Sequence, residues 1–311
     1  MKASPLRQQH FWAACTLDSG AMREAARSGD DAAALSRFLD QHARVLVLTG
    51  AGCSAPSGIP DYRDADGAWK HTKPMTYADF TGSAAARRRY WAGSLRGWPR
   101  VRDARANAAH LALARLEQAG RVVRLVTQNV DGLHQRAGSR RVVDLHGRLD
   151  LVECLGCGAV VHREDVQSLL VAWNPGFAAT PREDGYLRPD GDVRVSAPPD
   201  DLLVPDCREC GGVLKPKVVF FGESVPRSRV EQAFAALDEA DALLVVGSSL
   251  MVYSGYRFVR AARERGRPVA LVNLGRTRAD GECCLKLERD CATLLPVVAQ
   301  GPSGVDAPRR L

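Results

Sequence analysis

The segment that most constrains the fold is a short apolar run, Val45–Leu48, followed at once by the glycine-rich stretch Thr49–Arg63. A continuous apolar run of this length is typical of a strand buried on both faces in a parallel sheet. Gly50 and Gly52 lack Cβ atoms, so the turn after the strand lets a phosphate approach backbone N–H groups. This pattern indicates a nucleotide-binding turn, although a plain tight turn would carry the same glycines. It is not the common dinucleotide fingerprint, because the third glycine is replaced by Ala55.

The composition limits the class of protein. The 311 residues, 45% hydrophobic and 25% charged, fit an ordinary globular protein with one large domain, or one domain with a smaller insertion. No apolar run approaches the roughly 20 residues that a membrane-spanning helix needs. The first residues also lack the apolar core of an export signal. We therefore expect a cytoplasmic protein that does not bind membranes.

The net charge of +7 raises the question of nucleic-acid binding. Only 6 of the 43 basic residues are lysine, so the charge reflects an arginine-rich composition along the whole chain rather than a basic patch. The tightest clusters, Arg87–Arg89 and Arg140–Arg141, have none of the interleaved aromatic residues that bind single strands. The sequence therefore predicts no specific nucleic-acid binding.

At least four apolar strands each end in a small polar cluster, and helical patterns lie between them. Beyond the first strand, the apolar runs are Val122–Val126, Arg141–Leu145, Ala242–Val246 and Pro268–Val272, and the helical patterns start at Asp31 and span Ala108–Gly120, Arg229–Glu239 and Tyr256–Arg265. Such alternation predicts an α/β fold with a Rossmann-like, doubly wound parallel sheet. The ligand crevice of such a sheet lies outside the carboxyl ends of its strands, so the polar clusters should converge on one site.

Residues 61–100 lack strand patterning and are rich in Arg, Trp, Tyr and Gly. A long excursion directly after a phosphate turn is typical of a segment that covers a ligand. For each of Trp69, Trp91 and Trp98 taken alone, packing in the core is the more common role.

Two Cys-x-x-Cys pairs, Cys154 with Cys157 and Cys207 with Cys210, predict a structural zinc site closed by four thiolates. A redox function is disfavoured because there are two pairs and neither opens a helix after a strand. The 49-residue spacer between the pairs is rich in proline, glycine and acidic residues and is expected to be an ordered loop. The remaining five of the nine cysteines are expected to be reduced.

The zinc pairs also suggest how the chain is divided. A zinc-ribbon module over residues 148–217 would interrupt a Rossmann-like domain formed by residues 31–147 and 218–300. An N-terminal arm over residues 1–30 and a tail over residues 301–311 would complete the chain.

Polar residues at the strand ends are candidates for chemistry. These are Asn129, Asp131, His134, His146 and Ser248. His146 directly follows a strand and precedes Gly147, which places an imidazole suited to general-base work at the mouth of the sheet. A structural histidine is the alternative for this residue. Asp131 lies on the same side of an extended segment as Asn129 and would orient a sugar or stabilise positive charge.

Together these pieces resemble the sirtuin family of NAD-dependent protein-lysine deacylases. The matching motifs, in the family's order, are GAGCSAPSGIPDYR (50–63), TQNVDGLH (127–134), HG (146–147), the two cysteine pairs, LKPKVVFFGE (214–223), GSSL (247–250) and NLGRTRAD (273–280). The Asp61–Arg63 variant, the long spacer and the motifs at 90–91, 97–99 and 252–258 are similar to a class II-like branch. That branch includes the mitochondrial type with weak deacetylase activity.

The resemblance implies a reaction and its participants. The enzyme would transfer the acyl group of an acyl-lysine protein or peptide to ADP-ribose and release nicotinamide, with NAD as co-substrate and one structural zinc ion. The acyl oxygen would attack C1′ as nicotinamide leaves, and His146 would then deprotonate a ribose hydroxyl.

The resemblance also assigns site residues. The catalytic residues would be His146, Asn129 and Asp131. NAD would be bound by Gly50, Ala51, Gly52, Ser54, Pro60, Asp61, Tyr62, Arg63, Gln128, Asn129, Asp131, Gly247, Ser248, Ser249, Asn273, Leu274, Gly275 and Cys291. The substrate peptide would add as a strand to Val219, Phe220, Phe221, Gly222 and Glu223, with Phe220 lining the acyl-lysine tunnel.

The sequence departs from the family pattern in two places. Members that remove acidic acyl groups carry a Tyr-x-x-Arg pair after the tryptophan matching Trp91, and here those positions are Ser94 and Gly97. A preference for succinyl or malonyl groups is therefore not expected. Gly275 stands where many members have glutamate, which removes one contact to the adenosine.

Three other functions are compatible with parts of this sequence. Mono-ADP-ribosyl transfer would use the same NAD site, so the sequence leaves it open. A zinc module that recruits nucleic acid is disfavoured because the spacer is acidic. An NAD-linked oxidoreductase is disfavoured because the glycine spacing differs from the dehydrogenase fingerprint.

Overall fold

The computed structural model describes residues 30–70, 73–179, 186–193, 195 and 200–300. The predicted C-terminal tail, and all of the predicted N-terminal arm except Asp30, lie outside these residues.

Within them, six strands form a parallel sheet with the order β3-β2-β1-β7-β8-β9, and three more form an antiparallel sheet with the order β5-β4-β6. The strands are β1 (Val45–Thr49), β2 (Val122–Thr127), β3 (Val142–Asp144), β4 (Gly147–Cys154), β5 (Val160–His162), β6 (Leu214–Val218), β7 (Ala242–Val246), β8 (Val269–Val272) and β9 (Leu285–Leu287). The order of the larger sheet reverses between β1 and β7, which is the arrangement of the doubly wound nucleotide-binding fold. The predicted fold class is confirmed.

Helices lie on both faces of this sheet and also in the smaller module. They are α1 (Asp31–Gln41), α2 (Tyr77–Gly82), α3 (Ala84–Asp103), α4 (Ala108–Gln118), α5 (Leu133–Arg136), α6 (Arg163–Trp173), α7 (Pro175–Ala179), α8 (Arg227–Glu239), α9 (Tyr253–Glu264) and α10 (Cys291–Ala299). Val45 and Val47 of β1 pack with α1, α4 and α10, whereas Leu46 and Leu48 pack with α8 and α9. Burial on both faces explains why β1 is a continuous apolar run.

Caps and termini fix where the helices next to the sheet begin. The Asp30 carboxylate accepts a hydrogen bond from Ala33 N at the start of α1, and the Asn107 side chain accepts one from Ala109 N at the start of α4. The predicted bounds of the strands and of most helices hold to within two residues. Helix α9, however, begins at Tyr253 rather than at Tyr256, and this difference bears on the site described below.

The smaller sheet forms the zinc module together with α6. The prediction of a loop across the whole spacer is wrong for residues 160–179, which form β5, α6 and α7. Val166 and Leu170 of α6 are buried, and the Arg163 guanidinium lies 5.2 Å from the ring of Trp91 and 5.5 Å from that of Trp98. The module therefore packs against α3. The domain boundaries at residues 147 and 218 stay a prediction.

The segment after the glycine turn is more helical than its composition suggests. Helices α2 and α3 occupy most of residues 77–103, and Trp91 and Trp98 of α3 are buried in the core of the module. Trp69 instead lines a cavity beside the sheet. No helix in the described part of the chain is long and apolar enough to cross a membrane.

The turns after β1 and β7 approach each other more closely than any side chain would allow. Gly52 N donates a hydrogen bond of 2.9 Å to Gly247 O, and a Cβ atom on Gly50 would lie 2.7 Å from Cβ of Ser248. Gly247 has a positive φ of 60°, and a Cβ there would lie 2.3 Å from Cys53 N. The glycines thus serve backbone-to-backbone contact as well as access to a ligand.

This contact predicts a difference between two glycine-to-alanine substitutions. Gly247→Ala adds both backbone strain and a clash, whereas Gly266→Ala, with φ +67° and no atom within 4 Å of the added Cβ, adds strain alone. We expect a loss in the free energy of unfolding of about 1 kcal/mol for Gly266→Ala and of about 3 kcal/mol or more for Gly247→Ala. Urea denaturation followed by circular dichroism measures both, and equal losses would contradict the proposed clash.

Candidate active site

A cavity of about 810 Å³ lies at the carboxyl ends of β1, β2 and β7. This is the switch point of the sheet, where doubly wound folds bind ligands, and the volume is in the range of small-molecule sites. The polar clusters that follow these strands converge there, as predicted.

Most residues predicted from the sequence line this cavity. They are Gly50, Ala51, Gly52, Ser54, Asp61, Tyr62, Arg63, Gln128, Asn129, Asp131, His146, Val219, Phe220, Phe221, Gly222, Glu223, Gly247, Ser248, Ser249, Asn273 and Leu274. Pro60, Gly275 and Cys291 are outside the lining. Gly275 packs on the backbone of Ala65, and Cys291 is buried at the start of α10 with Sγ 3.9 Å from Gly52 O.

His134 is also outside the lining. Its ring is buried, and Nε2 lies 2.8 Å from the Thr49 hydroxyl. Burial lowers the pKa of His134 well below its usual value, so the ring is neutral. Of the two strand-end histidines, only His146 reaches the cavity.

Asn129 and Asp131 hold the glycine turn through Ser54. Asn129 Nδ2 donates hydrogen bonds of 3.0 Å to Gly50 O and to the Ser54 hydroxyl, which in turn donates one of 2.7 Å to Asp131 Oδ2. Asp131 Oδ1 accepts from Leu133 N at 2.8 Å. Burial raises the pKa of Asp131, and these hydrogen bonds oppose that shift. The network fixes two polar side chains and the turn in one arrangement at the floor of the cavity.

The His146 ring is held at both nitrogens. Nδ1 lies 3.0 Å from Gln128 O and Nε2 lies 2.8 Å from the Ser254 hydroxyl. Burial lowers the pKa of His146 to about 4, assisted by the charges of Arg229 and Arg257, while the hydrogen bond to Gln128 opposes the shift. The imidazole is therefore neutral near pH 7, with one nitrogen able to accept a proton.

The segment 219–223 differs from the extended conformation predicted for it. Val219 N donates to His146 O at 2.8 Å, but Glu223 N donates to Phe220 O at 3.0 Å and Gly222 has a φ of 81°. Phe221 makes an isolated parallel bridge with Thr76. The segment thus begins next to the base and closes in a turn, so only its first part is available as an extended edge.

Aromatic rings form the wall on this side of the cavity. Phe220 packs on Tyr90 with ring centroids 5.3 Å apart, and Tyr62, Trp69 and Phe221 stack edge to face at 5.6 to 5.9 Å. Such a wall suits an apolar substituent.

A hairpin over residues 187–193, within the spacer between the two cysteine pairs, closes the end of the cavity beyond Tyr90. Its backbone lies directly on α3, where a Cβ on Gly97 would be 2.2 Å from Gly191 O. Asp190 and Asp192 of this hairpin line the cavity. Burial raises the pKa of Asp190 to about 6 and raises that of Asp192 well above its usual value, where the charge of Asp190 adds to the effect of burial. Two carboxyl groups thus lie at this end of the cavity, and the Arg188 guanidinium is 3.4 Å from Asp192 Oδ2.

Several lining residues were missed from the sequence. Tyr90, Asp190 and Asp192 are far in sequence from the glycine turn and come together only through packing. Ser254 was missed because the helix was expected to begin two residues after it. A helix start placed directly after the 247–250 cluster would have drawn attention to it.

The four cysteines fit a zinc ion. The sulfurs of Cys154 and Cys210 are 3.5 Å apart and those of Cys157 and Cys207 are 3.7 Å apart. Four thiolates around zinc at about 2.3 Å would have edges of about 3.8 Å, so the spacing matches a tetrahedral site. Gly156 N donates to the Cys154 sulfur at 3.3 Å, as expected for a thiolate ligand. The arrangement has no open position and is structural.

Comparison with known proteins gives consistent results. The model of the Sir2 family matches residues 50–254. The chain is 56% identical over 270 residues to the NAD-dependent protein deacetylase of Xanthomonas campestris pv. campestris (strain 8004), covering 86% of this chain and 91% of the relative. It is 46% identical over 272 residues to the NAD-dependent protein deacylase Sirt4 of Drosophila melanogaster, covering 86% of each.

Solved structures are similar over the same region. The complex "Sir2-p53 peptide-NAD+" has a TM-score of 0.68 at 29% identity and covers 86% of this chain and 96% of its own. "Structure of Sir2Tm bound to a propionylated peptide" has a TM-score of 0.68 at 28% identity and covers 87% and 98%.

The cysteine cluster predicts what loss of zinc does. Cys157→Ser removes one thiolate, so we expect less than one zinc per chain and a lower melting temperature, because metal binding and folding of the module are coupled. Cys283→Ser, outside the cluster, serves as the matched control and should retain one zinc. Elemental analysis with thermal unfolding measures both, and a full zinc content in Cys157→Ser would contradict the four-thiolate site.

Proposed function

The chain belongs to the Sir2 family and is an NAD-dependent protein deacylase, and from that premise we propose which residues carry the reaction. The observation that carries the proposal is His146, a neutral imidazole fixed at the cavity wall. Gln128 O can only accept a hydrogen bond, so Nδ1 carries the proton and Nε2 has the free electron pair. Nε2 is then the atom that takes a proton from a ribose hydroxyl.

The glycine turn and the strand-end clusters would hold NAD. When bound, NAD supplies the ADP-ribose that accepts the acyl group and the nicotinamide that leaves. The N–H groups of Gly50, Gly52 and Gly247 donate within the protein, so the phosphates would be met by other backbone N–H groups of these turns, such as those of Ala51 and Ser248. Asn129 and Asp131, fixed through Ser54, would orient the nicotinamide ribose, and the Asp131 carboxylate would favour positive charge as it develops there.

The substrate side of the cavity lies next to the base. A p53 peptide and a propionylated peptide are bound in two of the similar structures, which supports an acyl-lysine peptide as the substrate of this chain. Val219, whose N–H is bonded to His146 O, begins the segment along which the peptide would add as a strand. Phe220 and Tyr90 would flank the acyl-lysine chain.

Two finer points complete the proposal. The relatives are named as deacetylases or deacylases, and this supports acyl transfer over the mono-ADP-ribosyl transfer that the sequence left open. A cytoplasmic location is supported by the four zinc-ligating thiols, which require reducing conditions.

The role of His146 can be tested by removing its side chain. In His146→Ala we expect turnover of an acetyl-lysine peptide to fall by roughly 10²- to 10⁴-fold, because no base remains. The exchange of labelled nicotinamide into NAD should persist, since transfer to C1′ precedes the base step. Peptide mass spectrometry and radiolabel incorporation measure the two. His162→Ala, at an exposed position, is the matched control. Retained turnover in His146→Ala would show that His146 is not the base.

The Asp190 carboxylate predicts the acyl preference. At pH 8 Asp190 is ionised, since its pKa is raised only to about 6, and it would repel a carboxylate at the end of an acyl chain. We expect kcat/KM for a succinyl-lysine peptide to be at least about tenfold below that for an acetyl-lysine peptide. The ratio of kcat/KM for the succinyl peptide to that for the acetyl peptide should rise several-fold in Asp190→Asn. It should stay unchanged in Asp201→Asn, an exposed control. If this ratio is the same in Asp190→Asn as in the wild type, the acyl chain does not end near Asp190.

A further inference from the structure

Ser254 is joined to the proposed base by the only hydrogen bond that its hydroxyl makes to a described residue. It lies in the first turn of α9, its side chain is buried, and Oγ is 2.8 Å from His146 Nε2. Both residues line the cavity. Nothing in the sequence motifs gave Ser254 a role.

The direction of this hydrogen bond follows from the other side of the ring. Nδ1 must donate to Gln128 O, so in the neutral ring Nε2 is the acceptor and Ser254 is the donor. The hydroxyl therefore occupies the electron pair that the reaction needs.

Gln128 and Ser254, which contact the two nitrogens of the His146 ring, both lie at the first turn of α9. The Gln128 side chain lies against Gly255, where a Cβ atom would be 2.6 Å from Gln128 Nε2, and Gln128 Oε1 accepts a hydrogen bond of 2.7 Å from the Ser248 hydroxyl. The start of α9 thus holds Gln128, whose carbonyl fixes Nδ1, and also carries Ser254, which fixes Nε2. Arg229 of α8 and Arg257 of α9 are the charged residues close enough to disfavour protonation of the ring.

We propose that Ser254 is the positioning residue of the base. This inference rests on the base role proposed for His146. The hydroxyl holds Nε2 toward the cavity while the ring is neutral and turns aside when a ribose hydroxyl approaches. The proton passes from the ribose oxygen to Nε2. Ser254 gives up its hydrogen bond to Nε2 during this step, but no covalent bond of Ser254 is made or broken.

A hydroxyl suits this task because it both donates and accepts. It donates to Nε2 before the ribose hydroxyl arrives and can accept from Nε2–H after the ribose oxygen has left, so the ring has its second anchor before and after the proton transfer. An amide N–H or a cation at the same place would stabilise only the neutral ring and would oppose the proton transfer.

The first test uses the ligand-free protein. In ¹⁵N-histidine-labelled enzyme, with the His146 signals assigned by their loss in His146→Ala, Ser254→Ala should move the Nε2 resonance downfield, toward that of a nitrogen without a donor. Ser254→Thr, which keeps the hydroxyl, should leave it near the wild-type value. An unmoved resonance in Ser254→Ala would overturn the proposal, whatever the activity.

The second test separates positioning from binding. In Ser254→Ala we expect kcat to fall about tenfold, the effect of losing one hydrogen bond, with the Kd for NAD and the nicotinamide exchange retained. Ser254→Thr should recover kcat to within about threefold, and Ser228→Ala, an exposed serine on α8, should match the wild type. If Ser254→Ala is unstable, Ser254→Cys makes the same measurements with a weak donor of similar size.

The outcomes separate the two proposals. Full turnover in His146→Ala would refute the base role itself. Loss of turnover in His146→Ala together with wild-type kcat in Ser254→Ala would refute only the role of Ser254. Equal loss of NAD affinity, exchange and turnover in Ser254→Ala would mark the residue as structural and would also refute it.

Discussion

The contact between the turns after β1 and β7 is the constraint on which the rest of this structure depends. Two backbones meet there with no room for a Cβ atom, at the point where the strand order of the sheet reverses. Because the turns are locked together, every group fixed to either of them is fixed relative to the other. Asn129 binds the first turn through Gly50 O, and Ser248 of the second turn binds Gln128. The ends of β1, β2 and β7 therefore form one rigid frame, as a site needs if its groups are to be placed before the ligand arrives.

The second constraint is the environment of the base. His146 is held by a carbonyl and a hydroxyl, and burial disfavours its protonated form. A base with a lowered pKa is a weaker proton acceptor, but it is in the right protonation state over a wide pH range. The Asp131 carboxylate is half-buried and accepts hydrogen bonds from Ser54 and Leu133. The two groups thus differ in environment: the His146 ring is kept neutral, and the Asp131 carboxylate accepts hydrogen bonds that oppose the rise of its pKa on burial.

The sequence was sufficient for those parts of the molecule whose physics is local. A run such as Val45–Leu48 reports burial on both faces, Cys-x-x-Cys reports a metal knuckle, and polar residues at strand ends converge because parallel strands share an edge. The missed features depend on packing at a distance. The hairpin carrying Asp190 contacts α3 only because Gly93 and Gly97 leave space for it. The hydrophobic periodicity of a strand or helix does not predict a contact of this kind. Ser254 was missed for a different reason, because its helix starts without a side-chain cap and so without the usual signal.

The hairpin has a broader consequence, since it belongs to the spacer between the two halves of the zinc site. A bound zinc ion would hold both ends of this spacer, while residues 187–193 in its middle lie at the end of the cavity proposed for the acyl chain. The residues proposed to bind NAD therefore lie on the larger sheet, whereas the residues proposed to meet the end of the acyl chain lie on a loop between the two cysteine pairs. Changes in the length or charge of the spacer would alter which acyl chains fit and would leave the residues proposed to bind NAD unchanged. A change of acyl selectivity would then require a different loop and no change of fold.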